Sequence, residues 1–284
     1  MAYQRTIIGF TEGRRASNIK RLSGKLVNLK RFITIVDLQA RAELKAEASK
    51  LSLSYLWWVL EPLLFVAVFY VVFSFLLDRG TENFVFFLMC GKVPFLWFSK
   101  TVTQASSSIL ANKGLIASTQ IDKVIFPYIA IQEVVYKQWV VFLVLFVMAL
   151  FLGTTITTHW LWLIPLIFVT YLMIVAISLI GAAITTFIQD FRIIISMGML
   201  FLMFASGIFW DINDIQDAYW RDMMLMINPL AFLIDAYRKI LMYNEPLNLY
   251  HLSYIGAASV ATITGLHIFF KRANTKLTQY VLQS

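Results

Sequence analysis

A chain of 284 residues that is 60% hydrophobic, 15% aromatic and 14% charged is too apolar for an ordinary soluble domain, so most of it is dissolved in lipid. A net charge of +8 does not imply nucleic acid here, because 11 of the 24 Lys and Arg fall in residues 1–50, ahead of the first apolar stretch, as in a membrane flank. The single cysteine, Cys90, excludes a disulfide framework or thiolate metal site, and the polar, basic first 50 residues lack the apolar core of a cleavable signal peptide.

Before the first span, Ile33, Val36, Ala40, Leu44 and Leu51 recur at helical spacing, with Arg41, Lys45 and Lys50 elsewhere around the helix. Such a helix is expected to lie along the inner membrane surface, apolar side in lipid and basic groups near anionic headgroups. Asp37 and Glu47 border the stripe, which suggests a partner protein covering them; a plain solvated helix is the alternative.

Six segments then have the length and apolarity to cross a bilayer: 57–77, 84–110, 133–152, 160–187, 193–210 and 252–270. The second holds Lys92, Pro94, Lys100 and a Ser/Thr run over 101–108, and is expected to be broken or partly cytosolic. Lys92, roughly 8 residues or ~12 Å of helix inside the outer end, must snorkel, pair or face water. Basic residues gather in the N-terminal region and at Lys271, Arg272 and Lys276, whereas 211–245 hold six acids against three bases, so both termini are expected in the cytosol. The reading is an all-α integral membrane protein of six transmembrane helices, with a cytosolic N-terminus (1–52), a membrane domain (53–272) and a cytosolic tail (273–284).

Three motifs resemble one family. Leu53-Ser54-Tyr55-Leu56-Trp57-Trp58-Val59-Leu60-Glu61-Pro62 is similar to the Leu-Gly-x-Leu-Trp-x-x-Leu-x-Pro element of the permease subunits of ABC-type polysaccharide exporters, with Ser54 in place of the family glycine. Trp57 and Trp58 also suit the headgroup layer on their own chemistry. Gly91-Lys92-Val93-Pro94-Phe95, the segment from Asn112 through Leu115 and Phe126-Pro127 resemble that family's second span, its Asn-x-x-Leu segment and the opening of its third span. Ser206-Gly207-Ile208-Phe209-Trp210, an acidic stretch with Asp211, Asp214, Asp217 and Asp222, and Asn228-Pro229-Leu230 through Asp235 and Arg238 resemble its outer segment. Asn228 is also placed to cap a helix begun by Pro229.

The resemblance implies the transmembrane half of an ATP-driven exporter of a lipid-linked polysaccharide of O-antigen or capsule type, in a bacterial inner membrane. It implies a homodimer of this chain with two copies of an ABC ATPase that carries ATP and Mg; this chain has no phosphate-binding Gly-x-x-x-x-Gly-Lys-Ser/Thr loop, and no cofactor, metal or catalytic residue is expected in it. The segment 111–127, with Asn112, Leu115 and Phe126, would be the coupling segment, joined by Asp190 and Arg192. The segment 211–245, with Asn228 and Pro229, would be a re-entrant outer gate. Arg31, Arg41 and Lys45 are candidates for the lipid or substrate headgroup, by simple charge. Tyr70, Trp97, Phe98, Phe209, Trp210 and Tyr237 are candidates for a glycan path, since aromatic faces can stack on sugar C–H faces; packing is the default for any single one. Alternatives are a membrane-embedded polymerase or sugar transferase, which the acidic residues without Asp-x-Asp spacing disfavour, and an exporter of drugs or lipids on the same fold.

Overall fold

The computed structural model describes residues 30–49, 56–72, 84–119, 121–152, 154 and 156–283. Residues 1–29, the entry residues Leu53–Tyr55, the Pro62 and Tyr70 side chains and the first outer loop lie outside that description. Among the described residues the regular elements are all helical. They are α1 (30–49), α2 (Trp57–Tyr70), α3 (Phe84–Ala111), α4 (Lys113–Ser118), α5 (Ile125–Phe151), α6 (Leu163–Phe187), α7 (Phe191–Ala205), α8 (Ala218–Ile227), α9 (Pro229–Arg238) and α10 (Leu249–Gln283).

Among the described residues, four helices are long and apolar enough to cross a membrane: α3, α5, α6 with the 3₁₀ turn Thr158–Trp162 that leads into it, and α10. α2 and α7 stand where the first and fifth spans are expected, at 14 and 15 residues. α3 is one continuous helix of 28 residues with Pro94 inside it, rather than the broken segment its polar run suggests. The run survives because its hydroxyls turn back onto their own helix: Thr101 donates to the Trp97 carbonyl at 2.6 Å, Ser106 to Val102 at 2.6 Å and Ser108 to Ala105 at 2.7 Å. Lys92 does not snorkel; it is buried with its Nζ 3.5 Å from Met203 Sδ and 5.3 Å from the Phe95 ring centre.

α5 begins at Ile125, two turns before the expected third span, so Glu133 and Lys137 fall inside a helix rather than at its flank. Their spacing of four lets them pair at 2.8 Å, which is how an apolar helix tolerates both. α3 and α6 approach closely at Gly181, where an added Cβ would sit 2.0 Å from Ser106 Oγ. Ser178, Ala182 and Ala183 around it are buried in the same contact.

Two apolar cores stack along the bundle. One gathers residues such as Trp97, Phe142, Leu166 and Tyr237 with α9. The other joins Val36 and Ala40 of α1 to Ile109, Ile116, Ile129 and Leu179, and to Phe270, Ala273, Leu277 and Val281 of α10. That second set explains why α10 does not stop at 270. Its 35 residues span ~52 Å, well beyond a hydrocarbon core of ~30 Å, and the extension is held by packing on α4 and on the end of α6, where Tyr280 meets Phe187.

α1 departs from expectation in a useful way. Its stripe of Val36, Ala40, Leu44 and Ala48, each four residues apart, packs on the protein itself rather than in lipid, while Ile33 is 57% exposed. The small alanines permit the close approach, and Phe32 meets the Tyr128 ring edge-on at 5.5 Å. The acids bordering the stripe have partners within the chain: Asp37 accepts from the Tyr136 hydroxyl, and Glu47 accepts from Lys137.

Candidate functional site

A cleft of about 700 Å³ opens between α2, α3 and α5 beside the end of α1. Trp57, Trp58 and Glu61 of α2 form one wall. Leu96, Ser99, Lys100, Thr103 and Gln104 form the α3 wall, with Val134, Lys137, Gln138 and Val141 of α5 opposite and Glu47 of α1 at the edge. A turn-by-turn spacing explains the α3 wall, since 96, 99, 100, 103 and 104 share one helical face.

The charged groups and side-chain amides in the cleft are matched. Lys100 is ion-paired with Glu61. Lys137 donates to Glu133 at 2.8 Å and to Glu47, and lies 5.8 Å from the Trp58 ring centre. Gln104 donates to Glu133, and Gln138 to the Val93 carbonyl at 3.2 Å. Burial works against the Glu47 charge, but the hydrogen bond and charge of Lys137 outweigh it and hold the carboxyl below its ordinary range. The Asp37 carboxyl is also held low, chiefly by the Tyr136 hydroxyl that donates to it, against the opposing effect of lost hydration, with Arg41 one turn away adding to the lowering.

The family described as ABC-2 type transporter matches residues 41–242. The chain belongs to that family. Its relatives include the O-antigen export system permease protein RfbA of Klebsiella pneumoniae, 26% identical over 247 residues, covering 86% of this chain and 94% of the relative. A protein of the same name from Myxococcus xanthus is 23% identical over 239 residues, 84% of this chain and 92% of its own. The polysialic acid transport protein KpsM of Escherichia coli is 24% identical over 254 residues, 87% of this chain and 96% of its own.

In this ABC-2 transporter chain, α4 occupies the expected coupling segment. Asn112 precedes it with its amide on the Ser108 carbonyl at 2.8 Å, Leu115 is exposed, and Phe126 is buried beneath. The tail of α10 braces this region: the Lys123 amide donates to Asn274 Oδ1 at 3.4 Å, and Asn274 to Asp122 at 3.4 Å. Asp190 and Arg192 are exposed at the turn into α7.

The segment 211–245, expected on the outer side, contains two ten-residue helices, α8 and α9. Asp217 caps α8 by accepting from the Tyr219 amide at 2.9 Å. Asn228 caps α9, accepting from Leu230 and Ala231 at 3.1 and 3.2 Å, with Pro229 in the first turn, and its own amide reaches Ser206 Oγ at 3.0 Å. Arg238 is buried and donates to the Gly207 carbonyl at 2.6 Å and the Ile208 carbonyl at 2.9 Å, stacked 3.5 Å from the Phe87 ring centre. Asp235 pairs with Lys239 at 2.9 Å rather than with Arg238.

Among the described aromatic candidates, Trp97 and Phe98 are buried, and Trp97 meets Phe142 and Tyr171; Tyr237 is fully buried with its hydroxyl 3.3 Å from Thr170. Trp97 also edges a cavity between α5 and α6, and Phe98 one between α6, α7 and α8. Phe209 and Trp210 remain partly open at the end of α7, with Trp210 Nε1 donating to the Phe204 carbonyl at 2.9 Å. Arg31, Arg41 and Lys45 are exposed on the outward side of α1, Arg41 paired with Asp37 at 3.1 Å. Sequence reasoning missed Lys100, Gln104, Glu133 and Lys137 as a group. The available signal was the Glu133 and Lys137 pair four residues apart in an apolar run.

Proposed function

We propose that two copies of this chain form the membrane pathway of an ATP-driven exporter of a lipid-linked polysaccharide, powered by two copies of a separate ABC ATPase. One observation carries the reading: similarity to permeases named for O-antigen export and polysialic acid transport runs over 84–87% of the chain, not over a single motif. The membrane is the bacterial inner membrane, with six spans and both termini in the cytosol, and α8 and α9 re-enter from the outside as a gate capped at Asn228 and Pro229. ATP and Mg sit on the partner.

Mechanically, closure of the ATPase dimer pushes on α4 through Asn112 and Leu115, while buried Phe126 carries the load into α5. Asp190 and Arg192 supply a second contact. The outward face of α7, with Ile193, Ile194, Met197, Leu200, Phe201 and Phe204 exposed, is a continuous apolar surface for the second copy. The glycan's lipid phosphate is drawn by Arg31, Arg41 and Lys45 at the inner leaflet. Phe209 and Trp210 line the outer end of its path.

The test is ATPase activity of the co-purified complex in lipid vesicles, with and without purified lipid-linked glycan. Stimulation by the glycan is expected. Sugar transfer by this chain alone, with no co-purifying ATPase, would hand the case to a membrane-embedded transferase.

A further inference from the structure

We propose that the cleft between α2, α3 and α5 is a saccharide site, binding a pyranose residue of the exported glycan against Trp57 rather than the phosphate of its carrier. This rests on the exporter reading above. The first argument is charge. Glu47 and Glu61 stand against Lys100 and Lys137 in the lining, and each ammonium already has a carboxylate partner. A phosphate entering here meets no unpaired cation, whereas a sugar hydroxyl, both donor and acceptor, inserts between Lys100 and Glu61 without upsetting the balance.

The second argument is unspent hydrogen-bonding capacity. Ser99 and Thr103, one turn apart on the cleft wall, make no hydrogen bond among the described residues. Thr101, Ser106 and Ser108 of the same helix, off the cleft, all bond back to α3 carbonyls. Ser107, off the cleft, likewise makes no side-chain bond among the described residues, so what marks Ser99 and Thr103 is that their open hydroxyls line the cavity. Third, Trp57 is 38% exposed on the opposite wall, an apolar ring face across from polar groups, which matches the two-faced character of a pyranose. The volume of about 700 Å³ falls within the range of roughly 300–1,000 Å³ usual for small-ligand sites. The consequence is a division of labour: Lys45 and Arg31 on the open side of α1 take the phosphate, and the cleft takes the first sugars.

The test places a photo-crosslinking phenylalanine at position 57 in cells making the native polysaccharide, and separately at position 96, so that loss of the Trp57 ring cannot hide the result. The control position is Leu143, exposed on α5 away from the cleft. After irradiation the purified chain is probed with antiserum to the surface polysaccharide. Glycan adducts at 57 or 96 and none at 143 are expected. Combining Ser99→Ala with Thr103→Ala should lower the adduct about tenfold, the equivalent of roughly 1.4 kcal/mol. Adducts at 57 and 96 that carry lipid without glycan, or glycan signal equal to that at 143, overturn the assignment. A deletion strain separates the two claims: if surface polysaccharide persists without this chain the exporter reading falls, whereas its loss together with glycan-free adducts refutes the cleft alone.

Discussion

Arg238 is expected to lock the outer helical pair to the bundle, and replacing it by Met tests how strongly. Its guanidinium makes two short bonds, to the carbonyls of Gly207 and Ile208, with a third contact to the Phe87 carbonyl at 3.4 Å. Each charge-assisted bond is worth about 1.5–3 kcal/mol, and a stack on a desolvated ring adds on the order of 2 kcal/mol. Against this stands the several-kcal/mol penalty of burying the charge, which Met does not incur. The carbonyls stranded by Arg238→Met cost about 1–3 kcal/mol apiece, so the net loss should be roughly 3 kcal/mol. For a chain of this size that corresponds to a melting temperature lowered by about 6–12 °C. Arg238→Lys should be no better, because an ammonium cannot span both carbonyls as the planar fork does. The assay is thermal unfolding in lipid nanodiscs read by tryptophan fluorescence, with amide exchange over 206–212 as a local readout. An Arg238→Met protein that melts with the wild type and exchanges no faster there would refute the reasoning.

Gly91→Ala should loosen the same lock from the α3 side, since its Cβ would sit 2.9 Å from Arg238 Nη2 and 3.3 Å from the Ile208 backbone; a loss of about 1–3 kcal/mol is expected from melting. Asn228→Ala removes the α9 cap and should cost about 0.5–2 kcal/mol, seen as faster amide exchange at 230–232. Because the Asp37 carboxyl titrates below its ordinary range in the folded chain, its contribution to seating α1 is complete at neutral pH and is lost as pH falls through that depressed value. Spin labels at Ile35 and Trp139 should therefore report a constant distance from pH 7 to about 5 and a broader one in stronger acid, and Asp37→Asn should weaken that acid dependence. Leu277→Glu puts a charge into the buried face of the α10 extension and should unseat α4, read as reduced recovery of the ATPase with the tagged chain.

Apolar run length made the membrane helices legible, and the Asn228-Pro229 pair marked the start of α9 to the residue. The continuity of α3 was not legible, because Pro94 and a Ser/Thr run in a linear sequence look like a break, and nothing in them shows that the hydroxyls will bond back along the helix. α1 was legible as amphipathic but not in what it faces. An apolar stripe reads the same whether it meets lipid or protein, and the deciding contacts join Asp37 to Tyr136 and Glu47 to Lys137, about a hundred residues apart. The cleft was illegible for the same reason, since its four helices supply one to five residues each.

Lys137 holds Glu133 on its own helix and Glu47 on α1 at once. A lysine stem has four flexible methylenes, so its ammonium can follow a small shift of Glu47, and a larger shift draws it off Glu133 before the link between the helices is lost. Such a connection bears tension and not compression. Displacement of α1 away from α5 is transmitted once the slack is taken up, whereas movement toward it is absorbed. Pulling α1 away from α5 therefore meets resistance at Lys137 before the Glu47 contact is lost, whereas pressing it closer does not.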